Sequence, residues 1–435
     1  MDLLTIIGLL TLVLLVILLM KSPVSPIVLF TLIPTIGGLA AGYSLKEISG
    51  FAKLGFASVQ TSVIVTAFAI LYFSIMSDVG MFDILTNPII RKAGKSKNPA
   101  SAIIVATAMI AAIGHMDGAG TTTIMITLPM MMPLFDKMKM DRRALALAMG
   151  VVVGAMNLLP WTGPTRHTAI VLDMDPVALW RYILPAQIIM VLLGFAAAYL
   201  LGRREIRRGA VNSIEDIAIE PEKTESLCAL HRGYFIFNLL LTAALLAALV
   251  AGIMNSGFTF MVFTGIAMAV NYRGKKQQGR KIKQFSPEIL NMVLNVISVG
   301  VLIGIIQEGG FVDAIAVSIM GVMPPAVGPF IYVIIAVIAA PLLMMLGTGA
   351  YYQGLMPVIV SVCAQYGVDP ILAACVVLVP SGVSVCLSPM VPANHVSCGM
   401  LGFEIGDFIN YAWKWVVIIS WIAIPIAYFT IKCFL

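Results

Sequence analysis

The chain has 435 residues, of which 60% are hydrophobic and 11% charged, with a net charge of +6. Soluble domains carry roughly 45–50% apolar and about 25% charged residues, so a soluble enzyme or nucleic-acid-binding domain is excluded and a polytopic, all-α membrane protein remains. The positive balance is what basic cytoplasmic loops produce by themselves.

Apolar runs of about 20 residues match about 30 Å of hydrocarbon. The first, Leu3 to Met20, follows the acidic Asp2 and ends at Lys21-Ser22-Pro23, a poor cleavage site, so it reads as a retained span. Further spans are expected near 24–42, 58–77, 141–172 (interrupted) and 180–201. The set recurs near 233–252, 256–271, 287–306, 369–400 (interrupted) and 410–431, after a charged stretch from Arg203 to Arg232. Two more apolar segments, 99–135 and 327–364, hold glycine-rich interruptions, and each half is short for a span. Re-entrant hairpins with tips at mid-depth are the expectation there. Segments 81–92 and 311–323, which open on Gly80-Met81-Phe82-Asp83 and Gly310-Phe311-Val312-Asp313, read as interfacial arms with solvated aspartates.

The two halves correspond. Gly118-Ala119-Gly120 leads to Pro129 as Gly347-Thr348-Gly349 leads to Pro357, and Pro164 and His167 recur as Pro392 and His395 at one offset of 228. Residues 1–202 and 232–435 are therefore expected to be inverted repeats of five transmembrane helices, each with a re-entrant hairpin and a broken helix, joined by a cytoplasmic linker at 203–231. With that topology 22 of the 27 Lys and Arg fall on the cytoplasmic side and both termini lie outside. The six cysteines show no metal-ligand spacing and read as packing residues.

Chemistry concentrates at the interruptions. The first tip, Gly114 to Thr123, offers Asp117, Gly118, the hydroxyls of Thr121 and Thr122, and His115. An acid at that depth is costly, and it holds a coupling cation, proton or metal unless it merely caps the next helix. The first break offers Asn157, Thr162, Gly163, Thr165, Arg166 and His167, with Pro160 and Pro164 freeing backbone groups. Arg166 points to an anionic substrate, the alternatives being a pair with Asp117 or snorkelling to the surface. The second tip offers Gly347, Thr348, Gly349, Tyr351 and Tyr352, and the second break Ser388, Asn394 and His395. His115, His167 and His395 suit proton coupling, although a membrane histidine also serves as a helix–helix hydrogen-bonding group.

Met116-Asp117-Gly118 through Thr122, Met156 to Thr165, and Ala350-Tyr351-Tyr352 with Pro357 resemble the citrate-metal complex:proton symporter family, CitMHS, and the resemblance runs over nearly the whole chain. It implies an elevator-type carrier, usually a homodimer of the cytoplasmic membrane, that imports citrate with Mg²⁺ or Ca²⁺ as part of the cargo, together with protons, and needs no resident cofactor. The family run carries a second acid where this chain has Ala119, and an acid near Gly349. Fewer acids mean fewer oxygen ligands for a hard divalent ion, which leaves free citrate and sodium coupling open. An intramembrane enzyme using Asp117 and a histidine is the distant alternative, without a ligand motif such as His-Glu-x-x-His.

Overall fold

The computed structural model describes residues 2–21, 24–94, 96, 98–209, 226–322, 324 and 326–435. Of the expected linker, residues 210–225 lie outside the described residues. Among the described residues every regular element is helical. The first half contains α1 (Leu3–Lys21), α2 (Pro26–Ala40), α3 (Leu45–Asp78), α4 (Met81–Gly94), α5 (Pro99–Gly114), α6 (Gly120–Lys137), α7 (Arg142–Met156), α8 (Gly163–Val171) and α9 (Pro176–Arg207). A short helix α10 (Leu227–Leu230) precedes α11 (Arg232–Ala251), α12 (Ser256–Asn271), α13 (Gly274–Glu308), α14 (Phe311–Val322) and α15 (Ile331–Val337). The chain ends with α16 (Ala339–Gly349), α17 (Met356–Gln365), α18 (Pro370–Ser384), α19 (Pro392–Leu401) and α20 (Ile405–Lys432).

Among the described residues, eight helical segments are long and apolar enough to cross a membrane, and the α5 and α16–α17 segments are among them by length and composition alone. Two spans differ from expectation in the same way. Helices α3 and α13 begin at Leu45 and Gly274, not near 58 and 287. Their polar first turns, Lys46-Glu47 and Lys275 to Lys283, read as loop by hydropathy, yet the helix continues through them. A capping box explains the first case: Ser44 Oγ accepts the Glu47 N–H and the Glu47 carboxylate accepts the Ser44 N–H at 2.8 Å.

Helices α3 and α13 cross along a glycine seam. A Cβ on Gly55 would overlap the Gly300 carbonyl, and one on Gly300 would lie 2.9 Å from Val59 Cγ2, so only glycine allows this approach. Lys281 pairs with Asp78 at 2.7 Å, and the Tyr272 hydroxyl donates to the same carboxylate at 2.6 Å. Helices α7 and α18, which lead into the two breaks, meet in a second seam where a Cβ on Gly154 would sit 2.5 Å from Val383 Cα. The two interrupted helices are thus held side by side at their centres.

Each hairpin reverses differently. Between α5 and α6 the chain makes one 3₁₀ turn, His115–Asp117, and then passes through Gly118 at φ +76°, a left-handed conformation that side chains resist. In the second hairpin Gly347 takes φ 70° and ψ 173°, and a wide π turn spans Ala350–Leu355 before α17. π turns of this kind recur at functional sites.

Candidate substrate-binding site

Several helices of the chain begin under a side-chain cap. Asp141 caps α7, Asp175 caps α9 and Asp369 caps α18, each carboxylate accepting main-chain N–H groups of the first turn. Helices α6 and α19 do not: Ala119 and Val391 stand at their N-cap positions and no side chain caps either one. The two uncapped starts are neighbours, since a Cβ on Gly120 would lie 3.4 Å from Ala393 Cβ.

Both starts line one cavity of about 420 Å³. It runs from Asn157, at the first break, along α7 to Ala146 near that helix's beginning. Its polar groups are His115, Asn157, Asn291, Asn394 and Ser397, and apolar side chains such as Ile124, Val153 and Phe408 form the rest of the wall. Among the described residues no lysine or arginine lines it. Positive potential comes instead from the dipoles of α6 and α19 and from free N–H groups such as that of Gly120, the arrangement that binds anions at helix starts.

The tip is fixed to the first break by three contacts. His115 is 1% exposed; its Nδ1 lies 2.9 Å from Thr123 Oγ1 and its Nε2 lies 3.1 Å from Asn157 Oδ1. With Nε2–H donating to Asn157 Oδ1, the Asn157 amide N–H groups stay free for a ligand, and the Thr123 hydroxyl beside Nδ1 donates to the Ala119 carbonyl at 3.0 Å. Trp161 Nε1 donates to the Met116 carbonyl at 2.8 Å. A Cβ on Gly118 would meet Thr162 Cγ2 and Trp161 Cδ1 at 3.2 Å. Inside the break, Thr162 Oγ1 donates to the Asn157 carbonyl at 2.5 Å and the Leu159 carbonyl at 2.6 Å, which satisfies groups left over where α7 stops.

Asp117 is 7% exposed, and its Oδ1 accepts the Ala119 N–H at 2.8 Å. The capping alternative is therefore partly realised, as a turn two residues wide rather than a cap on α6 itself. Its electrostatic neighbour is Glu288 of α13, a carboxylate one turn before the cavity-lining Asn291. A cation near these two acids is favoured by both charges.

Arg166 is 3% exposed and forms no ion pair with Asp117; its Nη1 donates to Thr66 Oγ1 on α3 at 3.2 Å and its Nε has no partner among the described residues. It lies outside the cavity lining, as do Thr162, Gly163, Thr165, Gly347, Thr348, Gly349, Tyr351, Tyr352 and Ser388. Several of these form a second polar layer. The Gln353 amide nitrogen lies 2.9 Å from His167 Nε2 and 3.0 Å from Nδ1, which joins the second tip to the first broken helix. Tyr352 OH lies 2.8 Å from Ser381 Oγ, and the buried Tyr351 hydroxyl has no partner among the described residues. Ser388 Oγ donates to the Leu343 carbonyl at 2.9 Å, and Asn394 Nδ2 donates to the Val385 and Ser388 carbonyls at 3.0 and 2.8 Å. His395 stands apart, exposed, with Nε2 2.7 Å from the Pro389 carbonyl. The Thr121 side chain is outside the description; Thr122 is half-buried.

Sequence reasoning passed over Asn291, Ser397 and Glu288. The available signal was an amide or acid inside an apolar run, and, for Ser397, its place one helical turn after Asn394. Among the described residues no group of three or more His, Cys, Asp or Glu gathers as a metal site.

Comparison with known proteins follows the same lines. The CitMHS family, described as citrate transporter, matches residues 2–379. The chain is 33% identical to the Citrate transporter of Bacillus subtilis (strain 168), over 95% of this chain and 96% of that one. It is 31% identical to the Mg(2+)/citrate complex secondary transporter of the same organism, over 95% of each. Among solved structures, the YdaH transporter of Alcanivorax borkumensis aligns with a TM-score of 0.58 at 13% identity, covering 97% of both chains. MtrF of Neisseria gonorrhoeae aligns with a TM-score of 0.59 at 13% identity, over 99% of this chain and 95% of that one. At such identity these two speak for the fold alone.

Proposed function

The chain belongs to the CitMHS citrate transporter family, and from that premise we propose that it imports citrate, or a closely related di- or tricarboxylate, in symport with protons. It is a multi-pass membrane transporter and not an enzyme. The observation that carries the proposal is the meeting of two uncapped helix starts, α6 and α19, on one cavity. Carboxylates there accept main-chain N–H groups, and Asn157 and Asn291 add neutral donors.

The same cavity bears on the cargo's charge. A fully ionised citrate brings three negative charges into a wall without a basic side chain, and uncompensated charge in such surroundings is expensive. An accompanying cation removes that cost. A divalent ion would ride on citrate's own oxygens, with Asp117 as the protein acid at the hairpin tip, and a proton on Asp117 or His115 does the same electrostatic service. Sodium is the second reading, supported by the neutral carbonyls and amides around both breaks.

Movement follows the repeats. Each hairpin with its broken helix, α5–α8 and α15–α19, moves as one body against a scaffold that includes α3 and α13. Arg166 on Thr66, and Trp161 against Phe73 with ring centroids 4.9 Å apart, lie on that boundary. With the Arg142 end of α7 on the cytoplasmic side, as basic-residue placement implies, the cavity is the inward-facing one. A homodimer of the cytoplasmic membrane, with termini outside and residues 203–231 inside, completes the proposal.

Uptake of labelled citrate into proteoliposomes under an imposed pH or sodium gradient, with and without Mg²⁺, is the test. Accumulation driven by the pH gradient is expected. Accumulation that needs sodium and ignores pH refutes proton symport, and no accumulation of citrate under any gradient refutes the substrate.

A further inference from the structure

Hydroxyls inside apolar helices normally donate to the carbonyl one turn back. This chain does so repeatedly: Thr107 to Ile103, Thr168 to Pro164, Thr242 to Asn238 and Ser298 to Leu294, all at 2.8–2.9 Å. Ser397 does not. It sits in the middle of α19, is only 5% exposed, and its Oγ has no hydrogen-bond partner among the described residues. Yet it lines the cavity, between Asn394 and Cys398 on the same face of the helix.

Position and chemistry then limit what this hydroxyl can recognise. Ser397 lies about 7.5 Å along α19 from Pro392, at the helix start that would hold a carboxylate. It shares the wall with Asn394, Cys398, Val391 and Cys386, none of them charged, so it offers a neutral hydrogen bond and no charge. A second carboxylate is poorly matched there, whereas an uncharged hydroxyl of the cargo is well matched, since two hydroxyls donate and accept with one another. Asn291 across the cavity can supply the remaining bond.

We infer that Ser397 is a specificity-determining residue that reads the alcohol of a hydroxy-carboxylate cargo, so that citrate is separated from tricarboxylates of the same skeleton without the hydroxyl. The inference rests on the citrate reading above and goes beyond it by naming the substrate group and the side chain that meets it. A site built to bond a substrate hydroxyl discriminates strongly against an analogue without one, because its own polar group is then left unpaired.

The test compares citrate with tricarballylate, which keeps the three carboxylates and loses the hydroxyl, in the full-length carrier reconstituted in liposomes. Wild type should favour citrate by at least about tenfold in uptake efficiency. Ser397→Ala should lower citrate efficiency on the order of tenfold while tricarballylate stays within about twofold, and Ser397→Thr, which keeps the hydroxyl, should retain the preference. Equal loss for both substrates, or an unchanged preference for citrate in the alanine variant, overturns the inference. A wild type that moves neither compound refutes the underlying citrate reading, a result distinct from either and visible before any variant is made.

Discussion

Replacing Asn157 by alanine removes the side chain that links the first hairpin to the first broken helix. Its Oδ1 is 3.1 Å from His115 Nε2, and His115 is 1% exposed. Leaving that ring N–H unpaired costs about 1–3 kcal/mol. The variant also withdraws an amide donor from the cavity wall, worth about 1.5–3 kcal/mol if its partner is a carboxylate. Only the second part falls fully on the bound state, which at about 1.4 kcal/mol per tenfold raises the apparent KM for citrate by about 10- to 150-fold. Initial rates of citrate uptake across a concentration series measure this directly, with gel-filtration behaviour in detergent reporting on the fold. A KM within twofold of wild type would refute the placement of substrate at Asn157.

Other expectations separate the roles of the remaining groups. Asp117→Asn should abolish gradient-driven accumulation while the protein still purifies as a single species; unchanged accumulation would reduce the acid to the turn it makes with the Ala119 N–H. Arg166 faces Thr66 and not the cavity, so Arg166→Gln should leave citrate affinity, measured by calorimetry, within about threefold and lower turnover at least tenfold. Weakened affinity with normal turnover would place the guanidinium in the binding site after all. At the polar end of the hairpin, the bond from Arg142 holds the Asp136 carboxyl below the usual carboxylate range. A depressed carboxyl contributes stability above its unfolded value and loses it as pH falls through the lowered one. Asp136→Asn should therefore melt slightly below wild type at pH 7, and the difference should vanish once the pH falls below the lowered carboxyl value; the pair is exposed, so the effect is small. A deficit that persists in acid would point to packing instead.

Apolar run length and interruption marked most of the helices, because a membrane span must satisfy its backbone internally and tolerates breaks only where protein or cavity surrounds them. The beginnings of α3 and α13 were not legible that way: Lys46, Lys53 and the Lys275–Lys283 cluster are polar, and a helix that leaves the apolar layer carries no hydropathy signal. At the site, glycine and proline motifs identified both tips and both breaks as the region of interest. They did not separate the residues that line the cavity from those stacked behind it. Asn157 and Asn394 reach the cavity, while Arg166 and Tyr352 turn to Thr66 and Ser381. That division depends on which face of each half-helix meets its neighbour, which local motifs do not encode. Ser397 and Asn291 were passed over because a lone serine or asparagine in an apolar helix looks like a residue bonded to its own backbone.

An experimental density map of the carrier with citrate bound tests the central claim most directly. Carboxylate density should lie within hydrogen-bonding distance of the main-chain N–H groups at the starts of α6 and α19, near Gly120 and Ala393. Citrate bound instead against Arg166 and Tyr351, with that cavity empty, would contradict the account.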